Sequence, residues 1–203
     1  MSMKRSHEEH AARFDEKAAD YDDDATPEYR ACVSLVIDHA DPDPDDVVVD
    51  LGCGTGAVGL RLATDAHRVV GRDISEGMMD RARRKAAERG LDNVTVEEGT
   101  FREPNYDGPA DVVVSNFAMH HLADEEKRAA IDVVAGMEPR RFVLGDVMFF
   151  GEPDPEAPFY SPAVDDPATV GVLADALTAA GFAVTAVEMI HEQVGVLVAE
   201  RAP

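Results

Sequence analysis

Three glycines and two aspartates occur where parallel sheets usually bind their ligands. Residues 50–56 read DLGCGTG directly after an apolar run, and Asp73 ends the next apolar run. A glycine-rich turn between a strand and a helix lets the backbone approach a ligand and directs helix N–H groups towards it. An acid at the strand end attracts a cation and repels a pyrophosphate. The pattern therefore indicates a nucleoside-binding loop for a positively charged ligand.

The glycine loop fits two ligand patterns. Residues 54–59 match G-x-G-x-x-G of dinucleotide-binding proteins, whereas Gly52, Gly54 and Gly56 form G-x-G-x-G preceded by Asp50. Asp73 suits both patterns, because an acid at the end of the second strand accepts hydrogen bonds from ribose hydroxyls. Asp50 favours S-adenosylmethionine, which carries an ammonium and a sulfonium. A nicotinamide-dependent Rossmann oxidoreductase is the alternative interpretation.

The elements that must position these residues alternate along the chain. Apolar runs predict strands at 47–51, 67–73, 94–96, 111–115, 141–149, 183–190 and 194–200. Apolar spacing and capping residues predict helices at 6–20, 27–40, 57–64, 75–88, 124–135 and 166–180. Because strands and helices alternate, the prediction is an α/β fold with a doubly wound, mostly parallel, seven-stranded sheet. About three residues join the last two strands, so the last strand must be antiparallel.

Composition narrows the class of protein. The 203 residues suffice for one domain, and 41 acidic against 19 basic residues give a net charge of −22. The acidic surface and scarce lysine favour a salt-loving archaeal source, with an ordinary acidic bacterial protein as the alternative. Charge repulsion predicts a fold that loosens at low salt. That charge argues against nucleic-acid partners. The sequence shows neither a membrane-length apolar run nor an apolar leader, so a cytoplasmic, single-domain protein is expected.

Four motifs resemble one family. Residues 48–56 and 69–79 resemble the first and second motifs of the class I S-adenosylmethionine-dependent methyltransferases. Phe14-Asp15, Ala18 and Tyr21-Asp22 are similar to the F-D-x-x-A-x-x-Y-D signature of the branch that methylates small molecules, and residues 111–122 resemble the motif after strand four. The resemblance implies a Rossmann-like methyltransferase fold and in-line methyl transfer from S-adenosylmethionine to a small-molecule acceptor. A non-catalytic S-adenosylmethionine-binding regulatory subunit is the other alternative.

The resemblance also implies which residues bind the cofactor. It assigns Asp50 to the methionine ammonium and Asp73 to both ribose hydroxyls. It places Gly52 and Gly54 beneath the methionine and ribose, and Asn116 and Phe117 beside the ammonium. The remaining assignments are Ile74 and Phe101 against the adenine, Thr100 in place of the usual adenine-binding acid, and Tyr21 over the methionine end.

Two adjacent histidines are the candidate catalytic residues. His120 and His121 follow the fourth strand, and a histidine there can act as a general base near neutral pH. A structural, hydrogen-bonded role is the competing interpretation. Because the sequence shows no third ligand at useful spacing, no metal site is expected.

Two segments are expected to cover the acceptor. Residues 1–42 form an amino-terminal helical lid on a core of residues 45–203, all within one methyltransferase domain. The proline-rich stretch at 150–165 carries Phe150, Phe159 and Tyr160, which are apolar enough to line a pocket. A surface connector with buried rings is the alternative for this stretch. The expected assembly is a monomer or a homodimer, without a membrane partner.

Overall fold

The computed structural model describes residues 6–153 and 156–201. Its strands are β1 (Val47–Leu51), β2 (Arg68–Asp73), β3 (Val94–Glu98), β4 (Val112–Asn116), β5 (Arg141–Phe149), β6 (Ala168–Thr169), β7 (Phe182–His191) and β8 (Val194–Arg201). Its α-helices are α1 (His7–Lys17), α2 (Pro27–Ala40), α3 (Gly59–Leu62), α4 (Glu76–Glu88), α5 (Asp124–Gly136) and α6 (Val170–Ala179). A single 3₁₀ turn spans Met119–His121.

Seven of these strands form one continuous sheet. Its order is β3-β2-β1-β4-β5-β8-β7, and the two-residue β6 pairs with β5 beside this path. β8 is antiparallel to both of its neighbours, while the pairs formed by β1 to β5 are parallel. The predicted mostly parallel sheet with an antiparallel last strand is therefore confirmed. The order reverses between β1 and β4, and ligands bind at such a switch point in doubly wound sheets.

Side chains of the central strands point alternately into two hydrophobic cores, one on each face of the sheet. Val48 packs with α2 and α3 on one face, while Val47 and Val49 pack with α5 and α6 on the other. All five residues of β1 are buried, as expected for a strand covered on both sides. Both sides of the sheet are thus occupied by helices, so the strand ends are the places left for a ligand.

The predicted caps explain where the longer helices begin. Thr26 and Ser75 are the N-caps of α2 and α4, and their hydroxyls accept hydrogen bonds from Tyr29 N–H at 3.1 Å and Met78 N–H at 3.2 Å. The prediction for residues 166–180 is wrong at its start. Residues 168–169 pair with β5, and α6 begins only after its N-cap Thr169. α3 is also shorter than the predicted 57–64.

Candidate functional site

The carboxyl ends of β1, β2 and β4 open into one cavity. The space inside it, counted out to open solvent, is about 1010 Å³. All ten cofactor-binding candidates predicted from the sequence line it, namely Tyr21, Asp50, Gly52, Gly54, Asp73, Ile74, Thr100, Phe101, Asn116 and Phe117. The fold therefore gathers residues that are spread over 97 positions of the chain (117 − 21 + 1) into one wall.

Two glycines bring the backbone of the loop to the cavity. Gly52 and Gly54 have φ angles of +72° and +51°, in the left-handed region that favours glycine. A Cβ at Gly52 would overlap the Cβ of Ala118, whereas a Cβ at Gly54 would meet nothing within 4 Å. Gly52 is therefore required by protein packing, and Gly54 leaves an open surface beside the cavity.

A buried carboxylate, Asp50, and a half-buried one, Asp73, face this cavity. Asp50 accepts a hydrogen bond from Gly59 N–H at 3.0 Å. Burial, reinforced by the nearby Asp73, raises the pKa of Asp50 to about 7. Burial also raises the pKa of Asp73, although its carboxylate accepts from Gly54 N–H at 2.8 Å and Ser75 N–H at 2.9 Å. Among the described residues neither acid has a basic side chain within ion-pair distance, so a cationic ligand would offset the cost of burying the Asp50 carboxylate.

A turn that follows β3 forms one side of the cavity. Thr100 N–H donates to the Glu103 carbonyl, and Glu103 N–H donates to Thr100 Oγ1, both at 2.9 Å. The threonine hydroxyl thus already closes a turn and keeps its own proton for donation to a ligand. Phe101 approaches Gly52 from this side.

The end of β4 carries unusual features of both backbone and side chain. Phe117 has φ +54°, which is uncommon for an aromatic residue, and its N–H donates to the Gly145 carbonyl at 2.9 Å. Asn116 is among the residues that line the cavity, and neither the oxygen nor the nitrogen of its buried side-chain amide has a hydrogen-bond partner within the described chain. Buried amides are normally satisfied, so Asn116 is prepared for a ligand.

Asp15 fastens the amino-terminal segment to α4. Its Oδ1 accepts from Ser75 Oγ at 2.6 Å and from Gly77 N–H at 2.9 Å. These donors lie at the amino end of α4, where a carboxylate is favoured by the helix dipole. The sequence signature singled out Asp15 only as part of a motif, and the structure shows what it contacts.

Asp22 fastens the same segment to the glycine loop. It accepts from Thr55 Oγ1 at 2.5 Å and from Lys85 Nζ at 3.0 Å, and it lies 3.4 Å from Arg81. These contacts lower the pKa of Asp22 despite its partial burial, which opposes them. Residues 10–29 consequently form a wall of the cavity, to which they contribute His10, Phe14, Tyr21 and Tyr29.

Each of the two candidate histidines is paired with its own aspartate. His120 Nδ1 lies 2.5 Å from Asp146 Oδ1, and His121 Nδ1 lies 2.8 Å from Asp165 Oδ1. Burial, and then the neighbouring His120, lower the pKa of His121 to about 4. Burial would raise the pKa of Asp165, but the hydrogen bond from His121 and the nearby histidines lower it to about 2. Of the two histidines only His121 is among the described residues that line the cavity.

Asp165 is a functional candidate that the sequence reasoning missed. With His120 and His121 it forms a group whose donor atoms lie within 4.8 Å of one another and could hold a metal ion. Sequence spacing does not reveal this third donor, because Asp165 lies 44 positions after His121 (165 − 121) and only the fold brings them together. That no metal is bound stays a prediction. In the structure the same atoms are already joined as histidine–aspartate pairs, and Arg13 Nη1 lies 3.9 Å from Asp165 Oδ1.

The stretch at 150–165 contributes Asp165 to the site but no aromatic lining. Among the described residues of this stretch, Phe150, Phe159 and Tyr160 are absent from the cavity wall. The ring of Phe159 instead packs 6.4 Å from that of Phe117, and the ring of Tyr160 packs 5.6 Å from that of Phe149. The expectation that these rings line the pocket is wrong, because they are used to hold the stretch onto the sheet.

Comparisons with known proteins agree with this geometry. Residues 48–137 match the model of a methyltransferase domain family. The chain is 31% identical to nocamycin O-methyltransferase from Saccharothrix syringae, over 88% of this chain and 73% of that protein. It is 33% identical to an uncharacterised methyltransferase from Oceanobacillus iheyensis, over 67% of this chain and 66% of that protein. The chain thus spans slightly less than two thirds of the Oceanobacillus protein.

The fold is also similar to that of solved structures. The structure of DhpI in complex with S-adenosylhomocysteine superposes with a TM-score of 0.74 at 20% identity, covering 97% of both chains.

Within the described part of the chain, no helix combines the length and the apolar character that a membrane crossing requires.

Proposed function

Because the chain belongs to the S-adenosylmethionine-dependent methyltransferases, we propose that it transfers a methyl group from S-adenosylmethionine to a small molecule. The observation that carries the proposal is a pair of carboxylates beside the glycine loop at the switch point of the sheet, the buried Asp50 at the end of β1 and the half-buried Asp73 at the end of β2. A ligand with positive charge and a ribose matches both. The name of the nocamycin enzyme supports a small-molecule acceptor.

The residues around the cavity fit this cofactor in three parts. Asp50 and the amide of Asn116 would receive the polar methionine end, which gives the unpartnered amide of Asn116 a role. Asp73 would accept from the ribose hydroxyls, and Gly54 offers an open surface for the backbone approach. The adenine would lie beside Ile74 and Phe101, with the Thr100 hydroxyl as a donor. Tyr21 and Phe117 would close the methionine end.

The cofactor, when bound, supplies an activated methyl group. The protein's task is to hold the acceptor in line at about 3 Å and to exclude water. The segment of residues 10–29 is suited to water exclusion, since Asp15 and Asp22 hold it over the cavity. We therefore assign residues 1–42 as a lid on the core of residues 45–203, and residues 1–5, 154–155 and 202–203 of this division lie outside the described residues.

Titration calorimetry tests cofactor binding directly. We expect binding of S-adenosylmethionine and S-adenosylhomocysteine, and none of NAD. Asp50→Ala and Asp73→Ala should each weaken the binding of S-adenosylmethionine. Asp175→Asn, at an exposed position of α6, is the control and should leave binding unchanged. Unchanged affinity in both cavity variants would contradict the site assignment. Transfer of a labelled methyl group to a metabolite extract then separates an enzyme from a binding subunit.

Charge points to the conditions under which the protein works. With a net charge of −22 and a sequence pI near 4.5, the chain repels itself at low ionic strength. We propose that it acts in a salt-rich cytoplasm as a monomer or homodimer. The melting temperature should rise from low to molar KCl, and a flat profile would contradict this assignment. Sedimentation in molar KCl measures the assembly state.

A further inference from the structure

We propose that β7 is a docking edge for a second copy of this chain, so that two sheets join across a two-fold axis by antiparallel pairing of β7 with β7. This strand is the last of the sheet and pairs with β8 on one side only. Within residues 6–153 and 156–201, no backbone hydrogen bond joins β7 to any segment other than β8. Its outer side therefore presents N–H and C=O groups that a further strand would pair. The inference does not depend on which cofactor the cavity binds.

The large apolar side chains that the described residues expose to solvent both lie on this strand. Val187 is 48% exposed and Met189 is 64% exposed. They pair with Leu197 and Gly195 of β8, so both lie on the face of the sheet whose core contains Leu197. That core buries Phe182 at the start of β7 but leaves Val187 and Met189 open. Exposed apolar residues that adjoin one another, unlike scattered ones, indicate an interaction surface.

The distribution of charge favours a second copy over a partner of another kind. The chain carries a net charge of −22, so two copies repel each other wherever their acidic surfaces meet. Residues 182–190 read FAVTAVEMI, in which Glu188 is the only ionisable residue. Its carboxylate is paired with His39 Nε2 at 2.7 Å. A basic partner would bind the acidic surface instead of this nearly uncharged strand, whereas a second copy meets the least repulsion here.

The opposite edge of the sheet is protected in a way that β7 is not. β3 is the other terminal strand, and it ends in Glu97 and Glu98, which are both exposed. Charged residues on an edge strand discourage pairing with a further strand. Because β3 is charged and β7 is nearly uncharged, identical β7 edges meet, and such a contact closes into a two-fold dimer rather than an open row of sheets.

Charge also selects the register of the pairing. Irregularities near both ends of β7 leave residues 186–189 as its regular part. A register with Glu188 opposite its own copy would bring two carboxylates together across the axis, which is unfavourable. A register with Val187 opposite its own copy avoids this and places Met189 opposite the partner subunit's Thr185. The inferred register therefore has Val187 at the two-fold axis, where both exposed apolar side chains become covered.

Sedimentation of the whole chain tests the assembly. In molar KCl the wild type should sediment at twice the chain mass of 21.9 kDa, and low salt should shift it towards the monomer because unscreened acidic surfaces repel. Val187→Lys places like charges on both sides of the axis, so the dissociation constant of the dimer should rise by at least about tenfold. Ala87→Lys adds the same charge at an exposed position of α4, which packs at the β3 end of the sheet, and should leave the dimer unchanged.

Disulfide cross-linking tests the register. Directly opposed Cα atoms of antiparallel strands lie about 4.5–5.5 Å apart, which is within the range that a disulfide spans. Val187→Cys should therefore give a covalent dimer on mild oxidation. Ala183→Cys, at another exposed position of β7, is the matched control and should stay uncross-linked, because this register separates its two copies by about 26 Å along the strand. The native cysteines, Cys32 and Cys53, are both buried.

A wild type that stays monomeric up to millimolar concentration would overturn the inference and leave the edge to a partner of another kind. A Val187→Lys variant as dimeric as the wild type, or a Val187→Cys variant that cross-links no faster than Ala183→Cys, would overturn the β7 interface. Should Val187→Lys not fold, the cross-linking comparison decides. No residue of β7 is among the described residues that line the cavity, so both lysine variants should bind S-adenosylmethionine as the wild type does. Failure of the wild type to bind it would instead overturn the proposed function.

Discussion

The cavity has two ends that are built in different ways. The end facing β1 and β2 is formed by one stretch of backbone, with Asp50, Gly52 and Gly54 within five consecutive residues. The end facing α1 is assembled from distant segments, with Phe14, His121 and Asp165 as its parts. The first end uses main-chain shape and buried charge, and the second uses rings and paired side chains. The comparison teaches that one end of a cavity can be set by local backbone geometry, while the other depends on tertiary assembly.

The largest expected effect is at Asp73. Asp73→Ala removes two charge-assisted hydrogen bonds, to Gly54 N–H and Ser75 N–H, which shape the loop as well as the ligand site. We expect S-adenosylmethionine affinity to fall by about 100-fold, on the order of 3 kcal/mol. Calorimetry measures the change, and Asp73→Asn, which keeps one acceptor oxygen, should lose less. Equal losses in the two variants would mean that the remaining amide oxygen replaces none of the carboxylate's function, so that the negative charge or the second oxygen is what binding requires.

Gly52 and Gly54 allow a further comparison within the glycine-loop end of the cavity. Gly52→Ala would drive a methyl into Ala118, so we expect a loss of about 2 kcal/mol in unfolding free energy together with weaker cofactor binding. Gly54→Ala meets open space and should cost about 1 kcal/mol or less in stability, but it places a methyl where the cofactor would lie. Denaturant unfolding and calorimetry separate the two effects. Similar unfolding free energies would contradict the packing difference.

Cofactor affinity should depend on pH through Asp50. Its pKa of about 7 means that, below pH 7, a cationic ligand must displace a proton. Affinity should therefore rise by up to about tenfold per pH unit from about pH 5 to 7 and then level off. The raised pKa has the opposite consequence for the free protein, because folding binds a proton and the contribution to stability falls from about pH 4 to 7. Asp50→Asn should flatten the pH profiles of both cofactor affinity and stability. A variant whose cofactor affinity still rises from about pH 5 to 7 would contradict the assignment.

The smallest expected effect concerns the lid. Asp22→Asn removes the charge that faces Lys85 and Arg81 but preserves an acceptor for Thr55. We expect S-adenosylhomocysteine to dissociate about threefold to tenfold faster, since partly exposed ion pairs contribute little. Stopped-flow dissociation measures this, and Asp23→Asn on the same turn is the control. An unchanged rate would show that residues 10–29 do not retain the ligand.

The sequence allowed most of the fold and the first end of the cavity to be predicted. Apolar runs located the seven principal strands, and the caps Thr26 and Ser75 located two helices, because these signals are local. The start of α6 was missed because residues 168–169 gain a strand partner in β5, a non-local contact that outweighs helix propensity. The pairing of His121 with Asp165 was missed for the same reason, since it depends on how the stretch before β6 returns to the end of β4.

What the sequence determined by itself is the half of the cavity that is built around the glycine loop. A strand, a glycine turn and a helix follow one another in the chain, so their geometry is fixed by residues that are already neighbours. Only the tertiary structure decided which histidine lines the cavity, which carboxylate orients it and which rings surround it. These contacts join segments far apart in sequence, and their positions are set by the packing of α1 and of the segment before β6 around the sheet.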